Sequence, residues 1–559
     1  MPLQILNFDN YLKTGKNLYK IIFLIVAFLC IVKLPSLFTS DIQPWDEGMY
    51  ATRVLSIHTN GDFIDQTSHS VGAFYSGSHP PLLIWIGYLS TSLLGINSTA
   101  LKIIPFIFSL LCVIIIILFC RKFFDASTGI FASMMFSSNI IFDVFSRRFQ
   151  FDYPYTFLIL LSVYLFFLFN ERREAKYLYL SGITFGLCLM IKILVGFYIP
   201  IIILASYIFV KDKVNFKFKD IVTLTSIGVL ICLPWHIYML VKYGTDFTDY
   251  FLKFHIYERA LHGVEMNEKE SGIFYHFSYL LTIIPYSALV FVALLKDFTE
   301  RKILSWQKIF LWVWFIMGFM IITLFRTKLE VYILMVMTPC CILLVLFVRD
   351  LNKQSLFFKT LTVFMVVINI LWFATESQRP AIKLFFLHSN KLFLIAGLIA
   401  SLVVLAYLSR YLAGRFELQK VFYLFIFFFF ISINIYYLFN TPVWENKFRL
   451  EEIKEHIENS GKKKIIYVAT NFRHNPQFSF YFKGLDLNWE NPQYQYTFVD
   501  NKNGVENTKK MLESLNMGEY EILVEKDYIN RAVYDDSKLF IPENAKLVMK
   551  RGGYELYEN

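Results

Sequence analysis

Apolar runs of about twenty residues recur along this chain from Tyr19 to beyond Tyr437, each followed by a short polar or basic stretch. A helix of that length crosses the hydrocarbon core of a bilayer, and inside lipid a chain that satisfies its own backbone polar groups must be helical or a closed barrel. The pattern therefore restricts the fold to an all-α polytopic membrane protein. Composition agrees: 56% of the 559 residues are hydrophobic and only 18% are charged, too few to solvate several soluble domains. The first run, "IIFLIVAFLCIVKLPSLF" at 21–38, is longer than a signal-peptide core and lacks a small-x-small cleavage site, so it reads as a retained helix.

Basic residues set the direction of crossing. Spans placed at 19–38, 101–120, 127–145, 154–170, 177–191, 194–210, 221–241, 273–295, 308–325, 329–348, 357–374, 391–409 and 421–440 put every second loop on one side. Those loops hold Arg121 and Lys122; Arg172, Arg173 and Lys176; Lys211 to Lys219; Lys296 to Lys308; Arg349 to Lys359; and Arg410 to Lys420. With Lys13, Lys16 and Lys20 they form a cytoplasmic set, which gives about 13 transmembrane helices with the amino terminus inside. The net charge of +10 is thus the positive-inside signature, and no nucleic-acid partner is expected. All seven cysteines fall in apolar runs as small hydrophobes, so neither a disulfide framework nor a cysteine metal site is expected.

The first outer loop, 39–100, is too long to be a mere connection. Its stretch "PPLLIWIGYLSTSLLGI" at 80–96 is short and opens on two prolines, and counting it as a span would reverse every later loop; it is expected to lie along or dip into the membrane surface. His58, His69, His79, His255, His262, His276 and His388 fall in or beside outer loops, His236 near an outer helix end, and His456 and His474 in the last outer segment. Domain 1–440 is thus the transmembrane unit. Residues 441–559 read as a small α/β extracytoplasmic domain, with strands in "KKKIIYVAT", "YEILVEK" and "AKLVMKRGGYELYE" and helices near 447–459 and 505–515. Its "NFRHNPQFSFYF" reads as a loop and strand, and a docking role is expected for the domain.

Chemistry concentrates at that outer face. Asp46 and Glu47 in "QPWDEGMYATR" follow directly on a span, where charge near hydrocarbon is costly; the competing reading makes Asp46 a helix cap with Glu47 in the first turn. Asp152 in "RRFQFDYPYT" stands at another outer helix mouth, where capping again competes. Arg147, Arg148, Lys192 and Lys328 supply cations at the same level, and a lysine among apolar neighbours must snorkel or meet an anion. Carboxylates beside several cations suit a base that activates a hydroxyl while a phosphate departs with its charge neutralised.

In order, "PWDEGMYA", "SHPPLLIWIGYLSTSLLGI", "RRFQFDYPYTF", "MIKILVGFYIP", "LPWHIYMLVKYG", "DYFLKFHIYERAL", "IIPYSALVF" and "TLFRTKLEVYILMVMTP" resemble the GT-C glycosyltransferases of the aminoarabinose lipid A transferase and protein O-mannosyltransferase group, over about residues 15–350. The resemblance implies transfer of a sugar from a polyprenyl-phosphate donor to a lipid A-like lipid, protein or glycan acceptor, with inversion, by a monomeric protein of the bacterial inner membrane whose active face is periplasmic. It implies Asp46 as the main catalytic carboxylate with Glu47 beside it, Asp152 as the second acid, Lys192 as the lysine of a short interhelical turn and Lys328 as that of a second turn; His79, Lys192, Arg147 or Arg148, and Lys328 are the competing donor-phosphate partners. It also points to His255 as a metal contact. Relatives of the aminoarabinose type read Glu-Lys-Pro-Pro where this chain has Ser78, His79, Pro80 and Pro81; that departure removes one metal ligand and leaves both a divalent metal and the sugar open. A flippase or transporter for a lipid-linked sugar is the rival reading, against which stands the absence of an inverted repeat or paired broken helices.

Overall fold

The computed structural model describes residues 15–192, 196–262, 272, 274–299, 304–375, 391–445, 449–461, 464–468, 476–482, 495–499, 520–525 and 545–558. The helices that bear on the site are α1 (Gly15–Thr39), α2 (Asp46–Asn60), α3 (Leu82–Leu94), α4 (Ser98–Phe123), α5 (Ala126–Phe136), α6 (Ile140–Phe145), α7 (Asp152–Arg172), α8 (Ala175–Leu189), α9 (Tyr198–Val210) and α10 (Phe218–Tyr243). Beyond a π-helical stretch, Asp249–Glu258, follow α11 (Tyr275–Ile283), α12 (Leu289–Thr299), α13 (Trp306–Leu324), α14 (Leu334–Arg349), α15 (Leu356–Thr375), α16 (Lys391–Arg415) and α17 (Leu418–Glu445). Eight described helices are long and apolar enough to cross a membrane, α1, α4, α7, α10 and α13 among them.

Two expected spans are each two short helices. The apolar run 127–145 breaks at Ser137–Asn139, where Asn139 caps α6 by accepting from the Phe142 amide at 2.9 Å and Asn434 of α17 donates to the Ser137 carbonyl at 3.1 Å. The run 273–295 breaks around Pro285; Asn369 of α15 accepts from the Ala288 amide at 2.9 Å and donates to the Leu281 carbonyl at 2.7 Å. Proline ends the helix, and a neighbouring side chain satisfies the freed groups, which is the condition for irregular backbone at membrane depth. Period and hydropathy do not register such a break, because the residues stay apolar across it.

Packing between helices relies on small residues and buried hydrogen bonds. A side chain on Gly228 would start 2.1 Å from the Phe185 ring, so α8 and α10 cross in close contact. Ser162 and Ser181 exchange hydroxyl-to-carbonyl bonds of 2.9 and 2.8 Å between α7 and α8. Helix α3 carries exposed Leu89, Leu93 and Leu94 on one face, and its Gly87 packs against Val54 and Phe149 on the other. Thirteen residues long, it has the shape of an interfacial helix rather than a span.

The carboxy-terminal part forms α18 (Glu451–Ser460) and α19 (Gln477–Tyr481) with a five-stranded sheet in the order β2-β1-β3-β5-β4. Strands β1 (Lys464–Val468), β2 (Gln495–Val499) and β3 (Tyr520–Glu525) are parallel, while β4 (Lys546–Arg551) and β5 (Tyr554–Glu558) form an antiparallel hairpin on β3. The expected helix near 505–515, His388 and His474 lie outside the described residues. The segment expected as a strand within "NFRHNPQFSFYF" is instead the short helix α19. Its Phe478 and Tyr481 join one buried cluster with Ile453 and Leu556 of the sheet domain and with Tyr50 and Val54 of α2.

Candidate active site

The chain turns sharply into α2. Trp45 adopts φ 66°, a left-handed conformation that a bulky residue takes only where the surroundings impose it, at a cost of about 1–3 kcal/mol. That turn makes Asp46 the first helical residue. The flanking position is Trp45, which makes no side-chain cap bond, and Asp46 stands one residue further in. Asp152 likewise opens α7, behind the uncapped flanking residue Phe151.

Both carboxylates line one chamber of about 400 Å³, together with Tyr50, His79, Arg148, Lys192, His255, Arg259, Lys328 and Glu330. A second chamber of about 410 Å³ adjoins it and is walled mainly by apolar residues of α7, α9, α13 and α14, such as Tyr155, Ile201, Ile322 and Met335. His79, Phe151, Asp152, Lys192, His255 and Arg259 line both. A collar of charged and imidazole groups thus separates a polar compartment from a greasy one. Such a boundary matches a molecule with a charged head and a hydrocarbon tail.

Lys192 sits in the turn after α8 with its ammonium 3.9 Å from the centre of the Phe151 ring. Burial pulls it down to about 8, Asp152 opposes this, Arg259 adds to it and Asp46 opposes it more weakly. His79 is pushed well below the usual imidazole range, first by burial and then by His255, Lys192, Arg53 and Arg259. It is therefore a neutral ring near pH 7, able to donate one N–H without carrying charge. The His79 and His255 rings lie 4.4 Å apart, and His255 Nε2 is 3.0 Å from the Tyr75 carbonyl. Among the described residues no group of three or more His, Cys, Asp or Glu side chains is arranged to hold a metal ion.

The other expected site residues are engaged differently. Lys328 lines the chamber while its ammonium donates to the carbonyls of Thr323 and Phe325 at 2.6 and 2.7 Å. Arg147 is not among the residues lining either chamber: it is 1% exposed, donates to Asp143 at 2.9 Å and bonds Ser36, in a buried cluster that Lys33 and Thr441 complete on the same aspartate. Its adjacency to Arg148 in sequence suggested a shared role, but successive helical and turn residues point apart. Glu47 is fully buried and does not line the chamber. It accepts from the Gln43 and Phe149 amides at 2.8 Å each, and Lys102 lies 3.7 Å away. Burial pushes its carboxyl up, against Lys102 and the two amides.

Sequence reasoning passed over Arg259 and Lys102. Arg259 stands in "YERAL" among ordinary helix-end charges, directly after the π-helical stretch, and lines both chambers. Lys102 lies within an apolar span, fully buried, and was a readable signal.

Residues 78–238 match the family described as dolichyl-phosphate-mannose-protein mannosyltransferase. A protein of Aquifex aeolicus (strain VF5) is 25% identical over 69% of this chain and 72% of its own length. The undecaprenyl phosphate-alpha-4-amino-4-deoxy-L-arabinose arabinosyl transferase of Pseudomonas aeruginosa (strain LESB58) is 23% identical over 54% of each chain, so the match spans about half the length of that relative. Among solved structures, ArnT from Cupriavidus metallidurans bound to undecaprenyl phosphate aligns over 96% of this chain and 97% of its own, with a TM-score of 0.60 at 14% identity. The archaeal oligosaccharyltransferase AglB from Archaeoglobus fulgidus aligns over 91% of this chain and 69% of its own at a TM-score of 0.51 and 12% identity. The fold is that of the GT-C membrane glycosyltransferases. Within that class the chain is similar in sequence to the aminoarabinose transferases and, over residues 78–238, to the protein mannosyltransferases.

Proposed function

We propose that this protein is an inverting glycosyltransferase of a bacterial inner membrane, which takes a sugar from a polyprenyl-phosphate donor and passes it to an acceptor on the periplasmic face. The observation that carries this reading is the collar: Asp46 on one side, Asp152, Lys192, Arg259 and His79 between, and an apolar chamber behind. The donor's hydrocarbon tail occupies the apolar chamber and its phosphate meets Lys192, Arg259 and the neutral His79. Asp46 takes the proton from the acceptor hydroxyl, or orients it, as that oxygen attacks the anomeric carbon. The bond from that carbon to the phosphate oxygen breaks on the opposite face, which inverts the centre and leaves the phosphate with the extra charge that the collar cations offset. Arg148 and Glu330, on the polar side only, face the acceptor. The acceptor is a lipid A-like lipid, a protein or a glycan.

A carboxylate, Asp46, on the polar side of the collar favours transfer over a flippase, which has no need of a base beside the phosphate. The test is label transfer from a panel of radiolabelled polyprenyl-phosphate sugars to extracted envelope lipids and proteins, with purified wild type and Asp46→Asn. Product with wild type and none with the variant is expected. Equal transfer by both would remove Asp46 from the reaction, and specific donor binding with no product from any donor would restore the transporter.

A further inference from the structure

A fully buried carboxylate is costly: bringing it out of water takes several kcal/mol even after relaxation. Glu47 is such a group and touches nothing in the chamber. What it joins is specific. One oxygen accepts from the amide of Gln43, in the turn that leads into α2, and the other from the amide of Phe149, three residues before Asp152. Lys102 of α4, itself fully buried, stands 3.7 Å from that second oxygen and donates to Ser40 Oγ at 3.0 Å, at the end of α1. One carboxylate therefore ties together the segment that presents Asp46, the segment that presents Arg148 and Asp152, and the two helices behind them.

We propose that Glu47, backed by Lys102, is a positioning residue that fixes the spacing of Asp46 relative to Arg148 and Asp152. This rests on the glycosyltransferase reading of Asp46. The acid pair is then divided by side: Asp46 looks into the chamber and Glu47 looks away from it, holding the two rims in register. A glutamine at 47 keeps one acceptor oxygen but sets an NH2 group against one of the two backbone amides, so one anchor is lost while size is kept.

The experiment measures kcat, the Kd for the polyprenyl-phosphate donor and the thermal midpoint for Glu47→Gln, Lys102→Met and Asp46→Asn in the purified full chain. Misplacement of a reacting group by about 1 Å costs on the order of 100-fold in rate. Glu47→Gln is expected to lose about that much kcat with donor Kd held within about threefold. An unchanged kcat, or a donor Kd weakened as much as kcat, overturns the clamp. Should Glu47→Gln fail to fold, Lys102→Met, which takes away the ammonium facing Glu47, is read instead: lowered kcat at unchanged Kd supports the backed clamp, and wild-type kcat overturns it. Asp46→Asn separates the two ideas, because transfer retained by that variant defeats the reading of Asp46 itself, whatever Glu47 does.

Discussion

At the scale of single residues, the collar is a problem of charge in a low-dielectric place, and Lys192 is its most sensitive member. Its pKa of about 8 lies close to working pH, because burial disfavours the ammonium and the two aspartates only partly restore it. A phosphate binds the protonated form, so donor capture is full below that value and falls as pH rises through it. The profile of kcat/KM for the donor should therefore decline above about pH 8, approaching tenfold per unit. Lys192→Arg, whose guanidinium stays charged throughout, should carry the plateau to higher pH. A wild-type profile flat to pH 10 would take the lysine out of donor recognition.

At the scale of elements, α2 is held from both sides, by α3 and Phe149 on one and by α19 on the other. Gly48 meets α19 so closely that a Cβ there would lie 2.3 Å from the Gln477 amide nitrogen, a backbone atom that cannot swing aside. The Ile42 amide donates to the Tyr481 hydroxyl at 2.8 Å, and Asp41 accepts from the Glu451 amide at 3.0 Å, on either side of that contact. Gly48→Ala should thus cost about 1–3 kcal/mol by overpacking and lower activity with it. Unchanged stability would mean that the carboxy-terminal domain rests on α2 only loosely. Little of this was legible in the chain. Hydropathy and the basic loops exposed the membrane class, and the order of short motifs exposed the group, because both are written in local composition. Asp46, Asp152, Lys192 and His79 were readable as charge or imidazole in an apolar setting. The division of labour between Asp46 and Glu47 was not, since it depends on which side of a helix start faces Phe149, a residue 102 positions away. The breaks in α5–α6 and α11–α12 were hidden for the same reason: the asparagines that repair them come from distant helices.

At the scale of the whole molecule, orientation decides whether the chamber opens where a lipid-linked sugar and its acceptor meet. The broken spans lie upstream, and the carboxy-terminal end offers the shorter count. Among the described residues three helices, α15, α16 and α17, lie between the basic turn around Lys353 and the α/β domain. Stretches of α15 and α17 are long and apolar enough to cross. Helix α16 has 25 residues, about 37 Å at 1.5 Å per residue. Three crossings put Lys353 and the α/β domain on opposite faces, and the basic turn belongs inside. Two crossings would put them together. Cysteines introduced singly at Lys353 and Ser460, both exposed, distinguish these cases, because the native cysteines within the described helices are buried or half-buried and give little background. In intact spheroplasts a membrane-impermeant maleimide should label Ser460→Cys and reach Lys353→Cys only after permeabilisation. The reverse pattern would turn the chamber toward the cytoplasm, and labelling of both in intact spheroplasts would mean that α16 does not cross. Since α18 and α19 of the same domain pack against the Asp46 segment, labelling at Ser460 also reports the face on which the two carboxylates stand.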